Sequence, residues 1–349
     1  MFDPKIISYF TLYALRYTLI YMFDLISIGD TVIDTVIPLG EAKLISENGQ
    51  IFLGLPFGAK VPVENGESMV AGNAANNAVG SARLGLKTAI YTHSGNKDDE
   101  EDDLRIRQKF KKEGVDTRYI IDVPNLPSNH NIILSYKGDR TILVHHQPWK
   151  FNLPDLDKTR WIYLTSMSPS FVESNIIPQI INYIERTGCK VAYQPGTFQI
   201  KQGSKKQSRL LSLVNVIVMN VEEAKRFLGY EIGDKITVKK LLKGLFNLGP
   251  KQVILTDGKD GSYAFDGETF WKLEIFPAKL VEMTGAGDAF ATSTVAGIIH
   301  GETLDQAMRW GAANSAAVVE EIGPQKGLLS FSKLQDTLKQ NKHIVAKEF

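Results

Sequence analysis

The residues best suited to chemistry in this chain are Thr284-Gly285-Ala286-Gly287-Asp288. They open a long run of small and apolar residues, 289–299, that reads as a buried helix. The first N–H groups of a helix have no intrahelical partner, and together with the helix dipole they favour an anion. Glycine at 285 and 287 lets the backbone approach that anion with no Cβ in the way. Asp288 places a carboxylate beside the same hole. That is a costly neighbour for an anion unless it takes a proton from an attacking hydroxyl. An anion hole with an adjacent base suits phosphoryl transfer to an alcohol. The competing account is an ordinary helix N-terminus, where Asp is common.

The elements that must position these residues follow from the rest of the chain. Short apolar runs alternate with helical ones: 25–28 ends at Gly29-Asp30, 190–193 at Gln194, 216–219 at Asn220 and 253–256 at Asp257-Gly258. Such alternation predicts a parallel sheet covered on both faces, with ligands beyond the carboxyl ends of its strands. Asp30 and Asp34 are therefore candidates to hold substrate hydroxyls, although Asp30 also suits a plain turn. Asn220 and Glu223 lie three apart across a strand-to-helix turn. They offer hard oxygen ligands for a nucleotide-borne Mg²⁺, partly through water, or else a helix cap. Thr256 and Gly258 suit a phosphate path or a tight turn. Small residues over 73–84 predict a closely packed helix in which Asn76 or Asn77 faces a ligand or else serves capping or helix packing. Two strand-like patches, 35–65 and 131–144, the second a hairpin turning at Lys137-Gly138-Asp139, predict a small separate sheet over the strand ends. Adjacent His145 and His146 point opposite ways on a strand and make a poor metal pair.

Composition removes other classes. A net charge of +1 over 349 residues gives no reason to expect a nucleic-acid partner. The single cysteine, Cys189, excludes an intrachain disulfide and fits a reducing cytoplasm. The chain has no Gly-x-x-x-x-Gly-Lys-Ser/Thr, no protein-kinase signatures and no Gly-x-Gly-x-x-Gly after its first strand. Residues 1–23 are mostly apolar with tyrosines four apart, but the run carries Arg16 and is marginal against the roughly 20 apolar residues a membrane span needs. No signal-peptidase pattern follows it. It is read as an upstream extension before a natural start at Met22, and no membrane partner is expected unless that leader is real.

Taken in order, Gly72…Asn76…Leu84-Gly85, Gly114-Val115-Asp116, Asn220-x-x-Glu223, Thr256-x-Gly258 and Thr284-Gly-Ala-Gly-Asp288-Ala-Phe290 resemble the PfkB, or ribokinase-like, family of sugar and nucleoside kinases over residues 24–330. The resemblance implies a three-layer α/β fold, with a central, mostly parallel sheet flanked by helices. It also implies a β-sheet lid formed by insertions at about 34–65 and 129–146. A C-terminal helix and tail would follow over 331–349, polar and frayed after 340. It implies a cytoplasmic enzyme that uses ATP and Mg²⁺ to phosphorylate a hydroxymethyl group of a sugar. Asp288 would be the catalytic base, and Gly285, Ala286 and Gly287 the anion hole. Asn220 and Glu223 would organise Mg²⁺ through water, Thr256 and Gly258 would line the nucleotide site, and Asn314 would lie near the base of ATP. Asp34, Gly72 and Asn76 would bind the acceptor, and the lid would pair subunits into a homodimer, as in some members. Three positions depart from the family pattern. Glu282-Met283 stands where Asp-Thr is usual, which leaves potassium activation open. Ala71-Gly72 replaces Gly-Gly, and Gln194 occupies a strand end that bears on phosphate or metal contacts. Two rivals stand beside the sugar kinase: a nucleoside kinase with Phe52 or Phe57 against the base, and a ligand sensor without turnover. A phosphosugar acceptor would need a cation such as Lys60 or Arg140. Spacing alone sets neither the acceptor nor the oligomeric state.

Overall fold

The computed structural model describes residues 22–47, 49–63, 65–95, 100–231 and 233–349, the side chains of 100–104 excepted. The expected leader therefore lies almost wholly outside the described residues. Phe23–Ile28 is a central strand of the main sheet, hydrogen-bonded in parallel to Thr159–Leu164 on one side and Thr88–Gly95 on the other. Asp116–Val123 adds in parallel beyond Thr88–Gly95. Lys190–Tyr193, Val216–Asn220 and Gln252–Thr256 extend the other side, also in parallel. Ser262–Phe265, Phe270–Leu273 and Lys347–Glu348 then finish that edge with antiparallel pairing, making ten strands.

Side chains alternate across a strand, so the apolar runs need cover on both faces. Ile26, Ile28, Ile162, Leu164, Val191 and Ile217 meet the helices Ile176–Thr187, Val221–Leu228 and Val238–Phe246 through Ile180, Phe227 and Leu241. On the opposite face, Leu25, Trp161, Tyr163 and Val218 meet Ala286–His300 and Leu304–Val318 through Phe290, Val295 and Met308. Asn73–Arg83 and Glu100–Lys112 complete that layer around Ala74, Ala78, Ile106 and Phe110. Ala286–His300 is buried on nearly all sides, which explains its lack of a polar stripe.

The small sheet forms, but not from the expected segments alone. Its order is Glu67–Ala71, Val32–Pro38, His130–Tyr136, Asp139–His145. The strand at 67–71 lies beyond the expected insertion limit of 65. Lys43–Glu47 and Gln50–Gly54 pair only with each other and stay outside this sheet. The hairpin turns at Lys137-Gly138, one residue shorter than the expected Lys137-Gly138-Asp139. Both have positive φ, 52° and 82°, as a two-residue primed turn requires, so Asp139 already belongs to the returning strand.

The tail is not frayed. Lys347–Glu348 pairs with Trp271 and Lys272, and Phe349 packs on Tyr263 and Phe270. Its polar residues hid a single aromatic anchor. The helix Leu304–Val318 ends before the chain turns through Gly323, whose φ is 90°. Among the described residues no helix is long and apolar enough to cross a membrane.

Close approach of the two helices behind the site depends on Gly311. A Cβ there would lie 2.2 Å from Thr294 Oγ1 and 2.8 Å from the Phe290 carbonyl oxygen. Gly311→Ala is therefore expected to destabilise the protein by about 1–3 kcal/mol. The denaturant midpoint should fall with an unchanged m-value, and an unchanged midpoint would contradict the tight contact.

Candidate active site

A cavity of about 390 Å³ lies beyond the carboxyl ends of the parallel strands, where open α/β sheets bind ligands. The strand ends bring Asp30, Ser166, Gln194, Asn220 and Thr256 to it. The small sheet faces them with Asp34, Asn131 and Arg140, and two helix starts contribute Gly72, Asn73, Asn76 and Gly285, Gly287, Asp288.

Asp288 is the most heavily bonded carboxylate of the cavity. Asn73 Nδ2 donates to Oδ1 at 2.8 Å, Asn76 Nδ2 to Oδ2 at 2.8 Å and Gln194 Nε2 to Oδ1 at 3.0 Å. Gln194 is itself held by Tyr163, whose hydroxyl donates to Oε1 at 2.5 Å. Withdrawal from solvent raises the Asp288 pKa above the usual carboxylate range, and the three amide donors oppose that rise. The outcome is a carboxylate that is oriented, partly buried and a better proton acceptor than one in water.

The turn before Asp288 is built by Gly285, which caps the helix in the left-handed region at φ 83°. A Cβ at 285 would lie 2.3 Å from Pro324 Cβ, so glycine is demanded by both conformation and space. No side chain caps this helix. Ala286 N–H reaches the Met283 carbonyl and Ala289 N–H that of Gly285, while the N–H groups of Gly287 and Asp288 make no bond among the described residues. The expected three-residue anion hole is therefore narrower. Ala286 neither offers a free N–H nor lines the cavity. Glu282 braces the turn from below, its carboxylate accepting Thr284 N–H and Gly323 N–H, each at 3.0 Å.

Two further carboxylates line the cavity, Asp30 just past the central strand Phe23–Ile28 and Asp34 on the small sheet. Asp30 is buried, and burial pushes its pKa to about 7 although Ser168 Oγ donates to Oδ2 at 2.5 Å. Asp34 is raised to about 6, chiefly by burial, with Asn131 Nδ2 donating to it at 2.9 Å and the charges of Asp288 and Glu282 adding to the rise. Gly72 has φ 100° and passes so close to Asp30 that a Cβ would lie 2.7 Å from its carbonyl oxygen. One glycine at this turn meets the steric demand, and Ala71 fits as the end of a strand.

Asn220 and Glu223 both line the cavity, and they form a capping box. Asn220 Oδ1 accepts Glu223 N–H at 2.8 Å, and Glu223 Oε2 accepts Asn220 N–H at 2.9 Å. Thr256 lines the cavity, whereas Gly258 opens a short 3₁₀ turn away from it. Asn314, expected beside a nucleotide base, is fully buried. Its amide donates to Ser293 Oγ at 2.6 Å and accepts Leu329 N–H at 2.9 Å, so it ties helices together instead of meeting a ligand. Phe52, Phe57 and Lys60 are exposed and do not line the cavity, whereas Arg140 does. Sequence reasoning passed over Asn73 and Asn131. The three-residue spacing of Asn73 and Asn76 puts both on one helical face and could have revealed the first. Asn131 becomes visible only through its strand pairing with Asp34.

These residues fit a phosphate-bearing nucleotide. An uncapped helix start with two free N–H groups faces the cavity, as phosphate binding requires. Among the described residues no group of three or more acidic, histidine or cysteine side chains could hold a metal by itself. Glu223 and Asn220 could hold Mg²⁺ only through water or alongside phosphate oxygens.

Because Asp30 is protonated more readily in the fold than in the unfolded chain, its contribution to stability falls as pH rises from 3.8 to about 7. Above that range the buried charge exacts its full cost. Asp30→Asn should gain stability relative to the parent as pH is raised through this window. Urea unfolding at several pH values checks this, and a gap that stays constant with pH would contradict it.

A family model described as pfkB family carbohydrate kinase matches residues 23–330. A 5-dehydro-2-deoxygluconokinase of Geobacillus kaustophilus is 28% identical over 296 residues, covering 78% of this chain and 86% of that one. The fold matches a ribokinase of Arabidopsis thaliana complexed with ribose and ATP at a TM-score of 0.74 and 21% identity, covering 91% and 99% of the two chains. It also matches a putative ribokinase II of E. coli in complex with ATP and Mg²⁺ at a TM-score of 0.70 and 18% identity, covering 91% and 99%. The strand-end cavity, the Gly285–Asp288 helix start and the separate small sheet thus accompany a family match across nearly the whole described chain, and the protein belongs to the pfkB family of carbohydrate kinases, ATP-dependent phosphotransferases that act on a sugar hydroxyl.

Proposed function

We propose that this protein phosphorylates a hydroxymethyl group of a sugar, with Asp288 as the general base. The observation that carries this is the position of Asp288: one carboxylate, fixed by three amide donors, at the mouth of a helix start with free N–H groups. Magnesium-bound ATP, when present, supplies the transferable phosphoryl group and the cation that offsets its charge.

The chain's own residues do the rest. The Gly287 and Asp288 N–H groups hold developing negative charge on phosphoryl oxygens, and the close backbone approach at Gly285 keeps them aimed. Asn220, Glu223 and Thr256 bound the cavity on the phosphate side. Asp34, Asn131 and Asn76 border the acceptor and bind its hydroxyls, so that one hydroxyl lies against Asp288. An Asp288 carboxylate oxygen accepts that hydroxyl's proton as its oxygen attacks phosphorus. Asn73, Asn76 and Gln194 keep the carboxylate aimed through the step. The small sheet excludes water, which limits loss of ATP to hydrolysis. The Glu282 carboxylate is already occupied by two backbone N–H groups, which supports a turn that holds its shape without a monovalent cation. Exposure of Phe52 and Phe57 away from the cavity weighs against an aromatic clamp on a nucleoside. The same exposed apolar hairpin, with Leu44, Ile45 and Ile51, supports a homodimer through this region.

Asp288→Asn should preserve acceptor binding and lower kcat by on the order of 10²–10⁴. ADP release over a panel of sugars, sugar acids and nucleosides checks this, and normal turnover in a folded variant would refute the assignment. In the parent enzyme kcat/KM should fall as pH drops through a pKa above the usual carboxylate range, because only ionised Asp288 accepts the proton. A profile flat down to the ordinary carboxylate range would contradict that role.

A further inference from the structure

Four side-chain atoms of residues lining the cavity are shut off from solvent and make no hydrogen bond: Asp30 Oδ1, Asn131 Oδ1, Arg140 Nε and Thr284 Oγ1. A buried polar group left unpaired costs about 1–3 kcal/mol, so each such atom calls for a partner. Thr284 adjoins the phosphate-binding turn. The other three border the acceptor. Asp30 Oδ1 and Asn131 Oδ1 suit hydroxyls. Arg140 Nε differs from them: it is a donor on a permanent positive charge, and a guanidinium has no acceptor atom.

We infer that the acceptor carries an anionic group, a carboxylate or a phosphate ester, that pairs with Arg140 on the small sheet. This rests on the kinase reading above and names the class of acceptor for the same cavity. Among the described residues, every other formal charge on the lining is negative: Asp30, Asp34, Glu223 and Asp288. The remaining basic side chain, His146, is held toward its neutral form by burial. Among the lining side chains, Arg140 is therefore where an anion on the acceptor is attracted, the free N–H groups of Gly287 and Asp288 being turned to the nucleotide's phosphates. A neutral sugar would leave the guanidinium unpaired once its surroundings closed.

Strand register places the anion relative to the hydroxyls. Asp34, Asn131 and Val144 form one rung across the small sheet, and Pro38, Ser135 and Arg140 another. Residues on a rung share a face, and the two rungs are four residues, or roughly 13 Å of backbone, apart. Ile142 and Val144 line the cavity on the same strand as Arg140. The anionic group thus lies toward the end of the acceptor remote from the hydroxyls held by Asp34. A planar guanidinium also matches carboxylate and phosphate oxygens in a two-bond fork. The nucleotide's phosphates are served from the other side of the cavity, by the main-sheet strand ends and the Gly285 turn.

The test pairs each anion with a neutral counterpart: gluconate and 5-dehydrogluconate against sorbitol, and fructose 6-phosphate against fructose. Binding by calorimetry and turnover with Mg-ATP are measured for the parent, Arg140→Gln and Arg140→Lys. At least one anion should bind the parent ten-fold or more tightly than its neutral counterpart, an affinity difference within the reach of a charge-assisted bond. Arg140→Gln should collapse that ratio, through KM more than kcat, and Arg140→Lys should restore part of it. The carboxylate and phosphate arms identify the anion. Equal or better binding of the neutral sugars, or a KM shift in Arg140→Gln that falls on ATP instead of the acceptor, would overturn the inference. Arg140-dependent anion binding with no turnover on any probe would overturn the kinase reading and keep the anion pocket. Turnover without charge preference would overturn the pocket alone.

Discussion

A carboxylate at the start of a buried helix has to be kept charged, aimed and accessible at once, and much of this structure answers that demand for Asp288. Burial raises its pKa. The donors that oppose this rise come from Asn73 and Asn76 on one helix and from Gln194 at the end of a strand, so two layers of the fold converge on two oxygens. The helix that carries Asp288 can sit so deep because its neighbours are small: Gly80 faces Thr292, and Gly311 faces Thr294. Widening either contact would move Asp288 away from its donors before it touched any ligand.

Acidity is spread over both sheets. Asp288 has its amide shell, whereas Asp30, at a main-sheet strand end, and Asp34, on the small sheet, have one strong donor each, Ser168 and Asn131, and burial raises the pKa of all three. A polyhydroxy ligand relieves all three, because each hydroxyl donates to a carboxylate that water no longer reaches. The same logic isolates Arg140, the one guanidinium among the described residues of a lining otherwise dominated by acids.

How much of this could be read from the chain depended on whether the chemistry is local. The tight turn at Gly285 and the cavity position of Asp288 were legible because a helix start in the left-handed region demands glycine in the local sequence itself. The parallel strands were legible because burial on two faces leaves uninterrupted apolar runs. Asn220 and Glu223 were legible as a pair, and the capping box shows why a spacing of three serves helix geometry as well as any ligand. Asn314 misled because an amide in a small-residue helix looks functional, although here it satisfies Ser293 and Leu329. Asn131 and the edge strands 262–265 and 270–273 escaped because their meaning lies in cross-strand partners, which no local pattern encodes.

The central position of Phe23–Ile28 has a consequence for how the chain is made. One neighbour of this strand, Thr88–Gly95, follows within the same third of the chain, but the other, Thr159–Leu164, begins 136 residues later. Synthesis at about 5–20 residues per second leaves one edge of this strand without its partner for roughly 7–27 seconds. During that interval Leu25, Ile26 and Ile28 present an open, strongly apolar edge, the kind most prone to pair with another chain. The order of strands that gathers Asp30, Ser166 and Gln194 into one cavity therefore leaves an apolar strand edge of the nascent protein open until Thr159–Leu164 is made.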